Sequence, residues 1–256
     1  MKIGCISWSY RNEFADGKYD FPKWFKHCAR DAKLEGVELW NNHFESLENE
    51  YIDNLLAVSK NERVPIYSVA TKCKFGDFSE ENIESAKSTL RDWLAATDRL
   101  GVHTLRVSLA GEDERAPDHQ KIIFESLTDV IGENKFPDIM VGIENKEPSA
   151  VQSIEDVKLM DKVSNGRLKL ILDNGSIIDK STVYGFMEKA LPYSALVHAK
   201  FFDIDSNGAD KVLDYDRIIP IIEKSEYDGF ISIEYDSEEP ASRDVPLIVE
   251  YLKNKV

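Results

Sequence analysis

Eight short apolar runs, each followed by a longer polar or amphipathic stretch, constrain most strongly what this chain can fold into. The runs cover residues 2–7, 37–40, 65–71, 103–109, 139–144, 168–173, 195–200 and 230–235. They recur at roughly 30-residue intervals, the size of one strand-plus-helix unit. Stretches 21–34, 80–100, 118–131, 215–224 and 241–253 carry apolar residues at helical spacing. Helix signals agree with this division. Ser79 precedes Glu80 and Glu81 as an N-cap, and Gly101 follows the long stretch as a stop. Pro22, Pro117 and Pro220 fall near helix starts, where a missing N–H costs little. The alternation never halts and no linker or change of composition interrupts it. One α/β domain over residues 1–256, a (β/α)8 TIM barrel, is therefore expected. An open dinucleotide-binding sheet would need a Gly-rich loop after the first strand, and Ser7-Trp8-Ser9-Tyr10 is not one.

In such a barrel the chemistry sits at the C-terminal ends of the strands. The fifth run ends in Glu144 and the sixth in Asp173; in the seventh the apolar stretch Ala195-Leu196-Val197 ends in His198, and in the eighth Phe230-Ile231-Ser232-Ile233 ends in Glu234. Side chains two apart share a strand face. Glu144 thus lies with Gly142, and Glu234 with Ser232, while Val141/Ile143 and Ile231/Ile233 form apolar faces suited to helix packing. Each polar residue is expected to point into the barrel. Three carboxylates crowded at one mouth repel one another, and a divalent cation relieves that repulsion. One nitrogen and three oxygens suit Mn²⁺, Mg²⁺ or Co²⁺, with Zn²⁺ also admissible.

Charge and cysteine content narrow the classes of partner. The formal net charge is −15, which opposes binding to nucleic acid or to an anionic membrane surface. The three cysteines, Cys5, Cys28 and Cys73, are widely spaced and give no disulfide framework. The first residues are too short an apolar stretch for a signal peptide, and no run approaches a membrane span. A cytoplasmic protein with a small-molecule partner is expected, and assembly into a homo-oligomer is left open.

The segments Val141-Gly142-Ile143-Glu144-Asn145, Leu170-Ile171-Leu172-Asp173-Asn174-Gly175, Leu196-Val197-His198-Ala199-Lys200 and Gly229-Phe230-Ile231-Ser232-Ile233-Glu234-Tyr235 resemble the xylose isomerase-like barrel superfamily. Within it, the sugar phosphate isomerase/epimerase group is the most similar. The likeness runs from Gly36-Val37-Glu38-Leu39 to the C-terminus. It implies that Glu144, Asp173, His198 and Glu234 hold a metal and that Glu144 and Glu234 form an acid/base pair. Family ketose epimerases carry a histidine where this chain has Ser176. They also carry an arginine shortly after the seventh-strand histidine, where Phe201-Phe202-Asp203-Ile204 has none. The superfamily also contains dehydratases and an endonuclease branch rich in histidine, whereas this chain has five histidines.

The expected reaction is isomerisation or epimerisation of a small sugar or polyol. A carboxylate removes a proton next to a carbonyl, and the metal stabilises the resulting enediolate. A lyase of the same fold, an inosose-type dehydratase or a keto-sugar deglycosylating enzyme, begins with the same proton removal. A non-catalytic sugar-binding barrel is the remaining alternative. Lys200, Arg106, Glu38 and Trp8 are the expected substrate-binding residues, with Arg106 also a candidate partner for Glu38. His27, His43, His103, His119 and Cys73 are expected to take no part. No Gly-rich phosphate cradle follows the seventh or eighth run, which favours a free or glycosylated sugar over a phosphate ester.

Overall fold

The computed structural model describes residues 1–109, 114–146, 149–177 and 182–256. Its strands are β1 (Lys2–Ile6), β2 (Gly36–Trp40), β3 (Ile66–Cys73), β4 (Thr104–Leu109), β5 (Met140–Glu144), β6 (Leu168–Asp173), β7 (Ser194–Phe201) and β8 (Phe230–Tyr235). They form a closed parallel barrel in chain order, with β1 pairing both β2 and β8. Around it lie α1 (Arg11–Ala15), α2 (Phe21–Arg30), α3 (Asn49–Glu62), α4 (Glu80–Arg99), α5 (Pro117–Gly132), α6 (Ile154–Ser164), α7 (Val183–Ala190), α8 (Tyr215–Lys224) and α9 (Ala241–Lys253). The barrel expected from the spacing of apolar runs is thus observed.

The outward strand faces explain why the helices pack where they do. Leu105, Val107, Val141, Ile143, Leu170, Leu172, Val197, Ile231 and Ile233 are all buried. Burying one such side chain is worth about 1.5–3 kcal/mol before entropy is counted. Ser79 accepts from the Asn82 N–H at the start of α4, as its position suggests. Ser153 and Asp156 form a capping box that starts α6, which the apolar spacing alone does not reveal. Pro220 departs from expectation. It lies inside α8, beyond the first turn, because Asp214 caps the helix well upstream of it.

The barrel floor is closed by aromatic rings. Tyr67 stacks on Phe230 with centroids 4.0 Å apart. Space for Tyr67 comes from Gly4, where a Cβ would fall 2.2 Å from the tyrosine ring. A register shift between Val37 and Glu38 accompanies this arrangement on the β2–β3 side. Gly142 likewise leaves room for Ile171, whose Cδ1 would lie 2.5 Å from an added Cβ. The face that Gly142 shares with Glu144 therefore points inward. The floor connects upward to the mouth through hydrogen bonds. Tyr67 donates to Ser232 Oγ at 2.6 Å, and Ser232 donates to Glu38 Oε2 at 2.9 Å.

Candidate metal centre at the barrel mouth

Four neighbouring strands bring the polar residues together, with two shifts from the expected positions. Glu144 and Asp173 end β5 and β6. His198 and Glu234 do not end their strands, because pairing continues through Lys200↔Glu234 to Phe201↔Tyr235. The same registers set Asp173 beside His198 and Lys200 beside Glu234.

His198 is the hub. It is fully buried, and its Nε2 lies 2.9 Å from Glu38 Oε2. Its Nδ1 lies 2.7 Å from Glu234 Oε2 and 3.1 Å from Glu144 Oε1. The second approach is not aligned as a hydrogen bond, and Glu144 Oε1 has no hydrogen-bond partner among the described residues. Glu144, His198 and Glu234 present ligand atoms within 4.8 Å of one another. Asp173 falls outside this group. Its Oδ1 accepts from the N–H groups of Gly175 and Ser176, and its Oδ2 accepts from Ser176 Oγ at 2.7 Å. Ser176, the residue standing where related ketose epimerases carry histidine, thus fastens the carboxylate.

Two cations compensate the carboxylates. Arg106 pairs with Glu144, not with Glu38, because the register sets Arg106 opposite Gly142, one inward position below Glu144. Lys200 Nζ donates to Glu234 Oε1 at 2.7 Å and lies 4.0 Å from Asp173 Oδ2. Burial opposes ionisation of Glu144, but Arg106 and His198 outweigh it and hold its pKa near 2. Glu234 is likewise opposed by burial and held well below the carboxylate range by Lys200 and His198. Burial dominates at Asp173 and raises its pKa. At His198 burial is overcome by Glu38 and by hydrogen bonding with the glutamates, so its pKa rises well above 6.5.

A cavity of about 390 Å³ opens above these groups, lined by Glu144, Asp173, Glu234, Arg106, Lys200 and Trp8 among others. Lys200 Nζ lies 4.8 Å from the Trp8 ring centre, so Trp8 forms one wall. Glu38 does not line the cavity. It is buried beneath His198, bonded to His198, Ser68 and Ser232, where it fixes the imidazole. His27 packs against Tyr10, and His43 stacks on Phe14 beside a separate cavity. His103 precedes β4 at the far end of the barrel, and His119 stacks on Phe78. Cys73 is buried as the last residue of β3, and burial raises its thiol to about 12.

Lys72, Lys146, Ser108, Thr71 and Trp40 also line the cavity, and the sequence did not single them out. Arg106 and Glu144 had shown alternation and strand-end placement. Lys72 and Lys146 lie just past the third and fifth apolar runs, where polar residues are ordinary. Lys146 donates to Ser108 Oγ at 2.6 Å, and burial lowers its pKa.

Gly175 holds the arrangement from beside β7. A Cβ there would lie 2.3 Å from Cβ and Cγ of Lys200. Gly175→Ala is expected to cost about 1–3 kcal/mol in urea denaturation through overpacking. Wild-type stability in this variant would show that Lys200 has room to yield.

Residues 27–255 match the family model described as the xylose isomerase-like TIM barrel, and the chain belongs to that family. Comparison by sequence with curated proteins returns no match. Among solved structures, the probable 3-DHS dehydratase AsbF from Bacillus anthracis superposes with a TM-score of 0.79 at 15% identity, covering 100% of both chains. The 3-keto-D-glucoside 4-epimerase YcjR from E. coli gives 0.76 at 15%, covering 99% of both. The IOLI protein, solved with a binding zinc atom, gives 0.77 at 12%, covering 99% of this chain and 96% of that one. At these identities the likeness establishes the fold. No helix among the described residues is long and apolar enough to cross a membrane.

Proposed function

We propose that the chain is a divalent-metal-dependent isomerase or epimerase of a small sugar or polyol. The observation that carries this reading is the convergence of Glu144, His198 and Glu234 around the orphaned, buried Glu144 Oε1. These residues would hold the ion, with Asp173 the adjacent fourth donor. Glu38 on Nε2 leaves Nδ1 facing the two glutamates, the usual support for a ligating histidine. Bound there, Mn²⁺, Mg²⁺, Co²⁺ or Zn²⁺ supplies Lewis-acid polarisation of a substrate carbonyl. The zinc atom in the IOLI protein supports a metal in this fold.

The rest of the chemistry belongs to the protein. Glu144 and Glu234 are ionised at neutral pH and approach the cavity from β5 and β8. Either can take a proton from carbon next to a carbonyl, and the carboxyl so formed can return it. Arg106 and Lys200, at the cavity wall, would stabilise negative charge developing on a substrate oxygen. Trp8 covers a ring or carbon chain and, with the buried strand ends, limits water. A cavity of about 390 Å³ suits a single small sugar.

The test is solvent exchange. Small ketoses and keto-polyols are incubated in D₂O with the enzyme and Mn²⁺, and products are read by mass and NMR. Deuterium at the carbon next to the carbonyl, with no loss of mass as water, supports the isomerase or epimerase reading. Exchange accompanied by loss of water selects the dehydratase reading, which the full-length likeness to a probable dehydratase favours as the alternative. No exchange across the panel contradicts both.

Glu38→Gln is expected to weaken Mn²⁺ binding roughly 10- to 100-fold, the usual effect of losing a carboxylate behind a ligating histidine. Titration calorimetry reads this directly. Unchanged affinity would show that His198 is not a ligand.

A further inference from the structure

We propose that the substrate carries an anionic substituent, a carboxylate or a phosphate, seated on the β3–β5 wall of the mouth by Lys72 and Lys146. The inference rests on the sugar or polyol reading and narrows its substrate class. The chain as a whole is strongly acidic, yet its cavity is not. Lys72, Arg106, Lys146 and Lys200 line it against three carboxylates, Glu144, Asp173 and Glu234.

Arg106 and Lys200 are consumed by ion pairs with Glu144 and Glu234. Lys72 and Lys146 are not. Among the described residues neither has a carboxylate within ion-pair distance, and Lys146 Nζ is held only by the neutral Ser108 hydroxyl. The register explains their placement. Lys72 pairs with Ser108 one inward position above the Ala70↔Arg106 pair, and Lys146 follows the end of β5 two residues after Glu144. Two cations therefore stand side by side at the rim, above the reactive carboxylates. On the same wall the buried Arg106 Nε has no hydrogen-bond partner. Lys72 is exposed at the rim, whereas Lys146 is half-buried, and a half-buried ammonium without a counter-charge is costly unless a ligand supplies one. A divalent ion below would add further positive charge and strengthen the preference.

The mode of capture is by side chains, which suits either anion without a glycine-rich backbone cradle. A small substrate with its anion at this rim extends its chain toward Glu144 and Glu234, which sets which carbon they meet.

The experiment compares three ligands with the same six-carbon chain, D-sorbitol, D-gluconate and D-sorbitol 6-phosphate, by calorimetry on the protein with Mn²⁺. At least one anion is expected to bind roughly 10- to 100-fold more tightly than sorbitol, the worth of one charge-assisted hydrogen bond. Gluconate or the phosphate leading identifies which anion is used. The advantage is expected to disappear in the Lys72→Gln/Lys146→Gln variant while sorbitol binding is kept. Sorbitol binding as tightly as both anions, or an advantage that survives in the variant, overturns the inference and leaves the polyol reading standing. Binding of none of the three overturns both.

Discussion

Glu234→Gln is expected to lower kcat by roughly 10²- to 10⁴-fold on any substrate that shows exchange, the usual worth of a positioned acid/base group. That corresponds to about 3–5 kcal/mol on the barrier. Glutamine keeps the volume of the side chain and its contact with His198 but cannot accept the proton. Lys200 would lose the charge of its 2.7 Å partner, keep an amide oxygen as acceptor there, and still have Asp236 Oδ2 at 3.4 Å and Asp173 Oδ2 at 4.0 Å, so the local fold should hold. Metal affinity is measured on the same variant to separate loss of the base from loss of a ligand. A variant that raises KM and leaves kcat unchanged would reduce Glu234 to a binding residue. Glu144→Gln should behave alike if both glutamates serve the reaction, and only one should matter if a single base does all the transfers.

Arg106→Met is the structural counterpart. Arg106 is buried and its ion pair with Glu144 is buried with it. Removing one partner of such a pair leaves an uncompensated charge in the interior, at a cost of about 3–5 kcal/mol. Urea denaturation is expected to show that loss. In the Arg106→Met/Glu144→Gln double variant most of it should return, because no charge is stranded. A single variant within about 1 kcal/mol of wild type would mean that Glu144 finds another partner or takes up a proton. The sign follows from the groups. Arg106 keeps Glu144 ionised, so its removal raises the Glu144 pKa and lets the carboxyl neutralise at higher pH. The cost of the substitution should therefore shrink as pH falls toward the ordinary carboxylate range.

The fold was legible because a parallel barrel repeats one simple signal. Apolar runs such as 168–173 and 230–235 coincide with β6 and β8 residue for residue. Strand ends also read well, since alternation puts Glu144 on the face of Gly142 and Glu234 on that of Ser232. The less legible parts depend on partners far away in sequence. The extension of β7 past His198 is set by pairing with β8. The choice of Glu144 rather than Glu38 for Arg106 is set by register across β4 and β5. Asp173 looked equivalent to the other carboxylates, but the local turn through Gly175 and Ser176 occupies both its oxygens. Lys72 and Lys146 were invisible as a pair because 74 residues separate them and only neighbouring strands unite them. Helices α3 and α6 carry weaker apolar periodicity than the stretches recognised from sequence, and α7 spans only 8 residues, so packing against the barrel completes them.

The most direct measurement is anomalous diffraction at the manganese edge from crystals grown with Mn²⁺. The expected result is one strong peak bounded by Glu144, His198 Nδ1 and Glu234, with Asp173 adjacent. A map with no peak there, and with the Arg106–Glu144 and Lys200–Glu234 pairs intact, would contradict a metal-dependent reaction at this mouth.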